Sequence, residues 1–169
     1  LSVAIGSLID HSSKNNTYNI YILTTDVTNE QITPIAENVP FNVNIKLVNV
    51  SNVVKEIKEK MVIRDYFTES IYFRLFIPEL FPNYDKVIYL DSDITLNADI
   101  AELMSVDLRD NLLGAALEPT VYADKVLSYW AKETYDLDEN HYFNSGVLIM
   151  NTKKLRPLNL KDHFSPWCN

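Results

Sequence analysis

The chain has 169 residues, 47% of them hydrophobic, with ten tyrosines and seven phenylalanines, enough apolar material for one packed core. Twenty-three acidic residues against fifteen basic ones leave a formal charge of −8, which excludes a nucleic-acid binder that works through a basic face. An anionic ligand therefore has to be met locally, by a metal ion, an arginine or a row of backbone amides.

The single cysteine, Cys168, excludes an internal disulfide framework and fits a reducing compartment. No run approaches the roughly 18 apolar residues of a membrane span. The apolar start LSVAIGSLIDHSS lacks the basic flank and small-residue cleavage pattern of a signal peptide, so it reads as a helix. Two Asn-x-Ser/Thr triplets, at Asn15 and Asn49, are common by chance and carry no weight. With no repeat, linker or low-complexity tract, residues 1–169 read as one domain.

In chain order, Leu1, Ala4, Ile5, Leu8 and Ile9 fall at helical spacing, and HSSKNNT ends that helix with turn formers. YNIYILTT reads as a buried strand and TNEQITPIAENVP as a short helix disturbed by Pro34. FNVNIKLVNV alternates with period two, which predicts a strand with one exposed face toward a sheet edge. SNVVKEIKEK is a weak helix with Ser51 as its cap, and TESIYFRLFIPELFP a stronger one. KVIYL, short and β-rich, reads as a central parallel strand. A helical turn in NADIAELMSVDL, a strand in LLGAALE, a helix in YADKVLSYWAKETYDL and a strand in FNSGVLIMNTKKL complete an α/β pattern. In such folds ligands bind outside the carboxyl ends of the strands.

One strand end carries chemistry. In KVIYLDSDITL, Asp91 and Asp93 stand two apart, so in an extended chain rising roughly 3.3 Å per residue they share a face and can converge on one cation. Hard carboxylate oxygens suit Mg2+ or Mn2+, which commonly bridge carboxylates to substrate phosphates. A solvated turn or helix cap is the plain alternative. An EF-hand reading would place Asp91, Asp93, Thr95 and Glu102 at ligand positions, but Leu96 stands where that turn needs glycine and a strand precedes it. YLDSDITL also resembles the first motif of haloacid-dehalogenase-type phosphatases, in which Asp91 would be the nucleophile. The later acidic pair that those enzymes need does not follow.

Three motifs in order, a Tyr-x-Arg-Leu helix in YFRLF, the strand-end Asp-x-Asp and the Phe-Asn-x-Gly-Val strand in YFNSGVLIM, resemble glycosyltransferase family 8 over roughly residues 1–156. That resemblance implies a GT-A fold, a mostly parallel sheet flanked by helices. It also implies retaining transfer of a hexose from a UDP-sugar to a glycan, glycolipid or protein-linked acceptor. By the same match Asp91 and Asp93 would ligate Mn2+ or Mg2+, with Ser92 giving backbone contacts near the ribose. Arg74 would reach the sugar or diphosphate, Asn144 and Ser145 the donor sugar, and Gly146 would let backbone approach closely. Tyr72 and Phe73 read as core.

Glu118 matches a family acid near the sugar or acceptor, and His163 a remnant of a metal-binding histidine tail. The family's first strand, with an acid toward the nucleoside, and most of that tail are expected outside this sequence. The implied location is cytoplasmic, with peripheral membrane association left open and nucleic acid excluded as a partner. The alternatives to a transferase are the dehalogenase-type phosphatase and a catalytically inactive nucleotide-sugar or carbohydrate-binding domain.

Overall fold

The computed structural model describes residues 1–58, 69–137 and 141–164. Helix α1 (Ser2–Asp10) buries Ile5 and Leu8 on its sheet-facing side. It leads into β1 (Tyr18–Thr24), α2 (Asn29–Ala36) and β2 (Val43–Asn49). β1 and β2 pair in parallel from Tyr18 opposite Val43 to Thr24 opposite Asn49, with α2 as the crossover. A capping box starts α2: the Gln31 N–H donates to the Thr28 hydroxyl and the Thr28 N–H to the Gln31 side chain. Pro34 stays inside α2, its carbonyl accepting from the Asn38 amide at 2.8 Å. β2 alternates covered and exposed positions from Val43 to Leu47, as its period-two pattern requires, and loses the alternation at Val48.

α3 (Ser51–Lys58) follows directly. Ser51 does not cap it; its hydroxyl donates to the Thr25 carbonyl, and Asn49 accepts from the Ser51 N–H. The stretch read as one strong helix is a 3₁₀ segment, Glu69–Phe76, running into a short α4 (Ile77–Leu80). Pro78 has no N–H to offer the Arg74 carbonyl, so a regular α-helix cannot run through that point. Phe73 and Phe76 are buried there.

Next come β3 (Val87–Leu90), α5 (Ala101–Met104), β4 (Leu113–Leu117), α6 (Pro119–Ala123), α7 (Lys125–Tyr135) and β5 (Phe143–Met150). The helix expected across residues 122–137 is divided at Asp124, which ends α6 and caps α7 through the Val126 and Leu127 amides. The described chain closes with α8 (Thr152–Leu155), a 3₁₀ turn (Arg156–Leu158) and α9 (Leu160–Phe164). Cys168 lies outside the described residues. Among those residues, no helix is long and apolar enough to cross a membrane.

The strands form two groups: β1 with β2, and β5 between β3 and β4, both antiparallel to it. β3 is thus neither central nor parallel to its partner. An unbroken apolar run reports two covered faces, and β3 has them. Val87 and Tyr89 pack on the cluster of Ile77, Phe81, Leu148 and Met150, while Leu90 packs on that of Leu8, Tyr18 and Leu96. Such a run says nothing about the direction of the neighbouring strand. A cavity of about 950 Å³ lies between the two groups, lined by β1 on one side and β3 with Asp91, Ser92 and Asp93 on the other.

Candidate active site

The end of β3, the start of β5 and the end of β4 meet at one place. The Asp91 N–H donates to the Gly146 carbonyl at 2.8 Å, and the Glu118 N–H to the Tyr142 carbonyl at 2.9 Å. This junction gathers Arg74, Asp91, Glu118, Asn144, Ser145 and Gly146 from distant parts of the chain.

Asp91 is its centre. One carboxylate oxygen, Oδ1, accepts from the Tyr89 hydroxyl at 2.6 Å and from Arg74 Nη2 at 3.2 Å. The other, Oδ2, faces Gly146, where the Cβ of any other residue would come within 2.8 Å of it. Gly146 does not adopt a positive φ, so the glycine serves space and not backbone conformation. The Asp91 side chain is 35% exposed while that of Arg74 is only 14% exposed, so the pair sits at a rim with its cation inward.

Each nitrogen of Arg74 has a partner. Its Nε donates to the Ile71 carbonyl at 3.0 Å, Nη1 to the Ser145 carbonyl and Nη2 to Asp91. Its guanidinium carbon lies 4.6 Å from the Tyr89 ring centroid, in cation–π contact. These bonds tie the 3₁₀ segment to the ends of β3 and β5.

Asn144 and Glu118 form a second pair. The Asn144 amide donates to Glu118 at 2.9 Å, and its side-chain oxygen accepts from the Gly146 N–H at 2.8 Å, an Asx turn that opens β5. Glu118 also caps α6 by accepting from the Thr120 N–H at 3.1 Å. The Asn144 amide first, and Thr120 after it, lower the Glu118 pKa below the usual carboxylate value. The group therefore stays ionised and accepting.

Ser92 and Asp93 are exposed and line the same cavity as Asp91. Asp93 is near enough for its charge to act on the Tyr89 hydroxyl. His163 does not join them. It lies exposed on α9, edge-on to Phe164 with ring centroids 5.1 Å apart. Among the described residues, no group of three or more His, Cys, Asp or Glu side chains is placed to hold a metal ion. The expected trio of Asp91, Asp93 and His163 is therefore not assembled. The cause is packing: Leu160 seats α9 in the cluster with Phe81, Met150 and Leu155, and Met150 pairs with Val87, the end of β3 away from Asp91. The EF-hand spacing fails on Leu96, which is buried against Leu8, Tyr18 and Val43, with its N–H donating to the Ser7 hydroxyl at 3.0 Å.

Two residues escaped the sequence reading. Tyr89 is two before Asp91 on the same strand face, a spacing legible in YLD. Burial, then the bond to Asp91, pushes its hydroxyl above the ordinary phenol range, with Arg74 pulling the other way, so it remains a donor. Asp99 is the other. Burial opposes its ionisation, yet bonds from the Ala101 N–H, the Tyr18 hydroxyl, the Ser13 N–H and the Asn16 amide outweigh that and lower its pKa. The Tyr18 hydroxyl reaches its Oδ1 at 2.7 Å, pinning the loop after the acids to the start of β1. No spacing rule joins residues 18 and 99.

Residues 1–169 match the family described as Glycosyl transferase family 8. A Haemophilus influenzae protein described as a glycosyltransferase is 29% identical over 169 residues, which is 100% of this chain and 49% of that protein. The lipopolysaccharide 1,3-galactosyltransferase of Salmonella typhimurium is 32% identical over 90 residues, 50% of this chain and 25% of its own length. Among solved structures, the galactosyltransferase LgtC with donor and acceptor sugar analogues superposes with a TM-score of 0.79 at 25% identity, covering 98% of this chain and 58% of that one. The apo bifunctional glycosyltransferase WbbM gives a TM-score of 0.80 at 27% identity, over 98% and 31%. The fold is the GT-A fold of these transferases. The chain spans about half the length, or less, of these curated relatives. The likeness of YLDSDITL to a phosphatase motif is thereby a local one.

Proposed function

From a chain that belongs to glycosyl transferase family 8, we propose a protein that transfers a hexose from a UDP-sugar to a glycan, glycolipid or protein-linked acceptor, with retention and with Mn2+ or Mg2+. The observation that carries the reading is the Asp91 carboxylate, clamped on one oxygen and seated on Gly146 with the other, at the end of β3.

The residues present fit a divalent cation. Two solvent-accessible carboxylates at one strand end offer hard oxygens, and Mg2+-like ions are commonly held by one or two carboxylates with the remaining positions left to water and phosphate. Asp91 and Asp93 would hold it, and when bound it would neutralise the charge growing on the leaving diphosphate. The rest falls to the chain's own groups. Tyr89 and Arg74 orient Asp91, the glycine leaves room for that carboxylate, and the second N–H of the Asn144 amide is available to a sugar hydroxyl. Glu118, held ionised, accepts a hydroxyl proton in a hydrogen bond and so orients donor or acceptor.

The test is calorimetric titration of the full chain with UDP, with and without Mn2+, alongside UDP release from UDP-glucose and UDP-galactose. Tighter UDP binding with Mn2+, together with turnover of one donor, is expected. UDP affinity indifferent to Mn2+ refutes the metal reading. Metal-dependent binding with no turnover makes the chain a nucleotide-sugar-binding unit.

A further inference from the structure

Val87, Tyr89 and Asp91 lie on one face by the two-residue repeat of a strand. Tyr89 is half-buried on the Ile77, Phe81 and Met150 cluster, a place that Phe or Leu would fill equally well. Its hydroxyl is the surplus feature, and that hydroxyl reaches Asp91 Oδ1 at 2.6 Å. Arg74 covers the same ring at 4.6 Å and bonds the same oxygen at 3.2 Å. Both donors therefore converge on one of the two carboxylate oxygens.

We propose that Tyr89 is a positioning residue for the cation site: with Arg74 it locks Oδ1 of Asp91, so that Oδ2, above Gly146, is the oxygen presented to metal. A free aspartate samples rotations about its last side-chain bond, and a cation then binds at the cost of stopping them. Here the rotation is already stopped by two donors of unlike kind, a hydroxyl from the same strand and a guanidinium from the 3₁₀ segment. Groups that orient a metal-ligating carboxylate in this way are typically worth 10- to 100-fold in metal affinity. The aromatic ring has its own part, since it carries the guanidinium in cation–π contact and so holds the second donor in place.

This inference rests on the reading of Asp91 as a metal ligand, and the experiment separates the two. Mn2+ alone is titrated into the full chain and followed by its paramagnetic resonance signal, for wild type, Tyr89→Phe and Asp91→Asn. UDP binding without metal and thermal unfolding are measured on the same samples. Tyr89→Phe keeps the ring beneath Arg74 and removes the hydroxyl. It should weaken Mn2+ binding about tenfold while leaving metal-free UDP binding and the unfolding midpoint unchanged. Asp91→Asn should reduce Mn2+ binding to background. Wild-type Mn2+ affinity in Tyr89→Phe, with Mn2+ lost in Asp91→Asn, overturns the positioning role and leaves the site standing. Equal losses of Mn2+ and metal-free UDP binding in Tyr89→Phe also overturn it, because they mark a general distortion of the pocket. Wild-type Mn2+ affinity in Asp91→Asn removes the metal site, and the inference with it.

Discussion

Replacing Gly146 by Ala isolates the contact between the two strand ends. A Cβ placed there would stand 2.8 Å from Asp91 Oδ2 and 3.0 Å from Asn144 Oδ1, against 3.4–4 Å for an ordinary van der Waals contact of a Cβ. Neither oxygen is free to yield: Asp91 is held by Tyr89 and Arg74, and the Asn144 oxygen by the Gly146 N–H. The backbone itself accepts alanine, since φ is not positive, and the gain from a stiffer unfolded chain is about 0.4–1 kcal/mol. Overpacking costs about 1–3 kcal/mol, so the net loss is about 1 kcal/mol, a fall in melting midpoint of roughly 2–4 °C for a chain of this size. The functional effect is much larger than that. Displacing the carboxylate stretches its bonds to Tyr89 and Arg74 and turns Oδ2 away from its place above Gly146, so Mn2+-dependent UDP affinity should drop about tenfold or more in calorimetry, while UDP binding without metal barely changes. An alanine variant that keeps the wild-type Mn2+ enhancement refutes the claim that this glycine makes room for a metal-binding carboxylate.

Asn144→Ala removes the main donor to Glu118, so the Glu118 pKa should rise toward the ordinary carboxylate value, read by NMR titration of the side-chain carboxyl; an unmoved titration breaks the proposed pair. Asp99→Asn should cost about 1 kcal/mol at pH 7 after allowance for its partial exposure. Its folded pKa is lowered, so its stabilisation is present above the unfolded carboxylate pKa and is lost as pH falls through the folded one. The wild-type advantage over Asp99→Asn in urea unfolding should therefore shrink on acidification, and an advantage that is constant with pH argues against ionic hydrogen bonding there.

How much of this was legible in the sequence depends on the range of the interaction. The strands were visible from periodicity and the shared face of Asp91 and Asp93 from spacing, because each depends on neighbours within a few residues, whereas Asn144 and Gly146 were singled out only by the resemblance to family 8. What the sequence could not show is direction and partnership. The apolar run of β3 records cover on both faces, and the antiparallel pairing with β5 is settled by residues 143–150, more than fifty positions later. Nothing in YFRLF reveals that Ile71, Ser145 and Asp91 will each take one nitrogen of Arg74, because those partners are set by the meeting of three distant segments. His163 looked like a ligand because its tail is written in residue types, whereas its placement is decided by Leu160 in the core.

The same geometry explains why a chain of charge −8 places two more acids at a strand end. Two unscreened carboxylates there would repel, and any diphosphate would be repelled as well. Arg74 meets half of that charge at Asp91, but it does so with one nitrogen on one oxygen, at 3.2 Å, while Nε and Nη1 donate to backbone carbonyls. Asp91 is thereby partly neutralised and still presents an oxygen, while Asp93 keeps its exposed carboxylate. An arginine that bridged Asp91 with both terminal nitrogens would neutralise the site and leave no oxygen for a cation. The single-pronged contact offsets part of the repulsion between the two acids and leaves the strand end acidic, which is the electrostatic condition that the proposed cation, and a diphosphate held through it, would require.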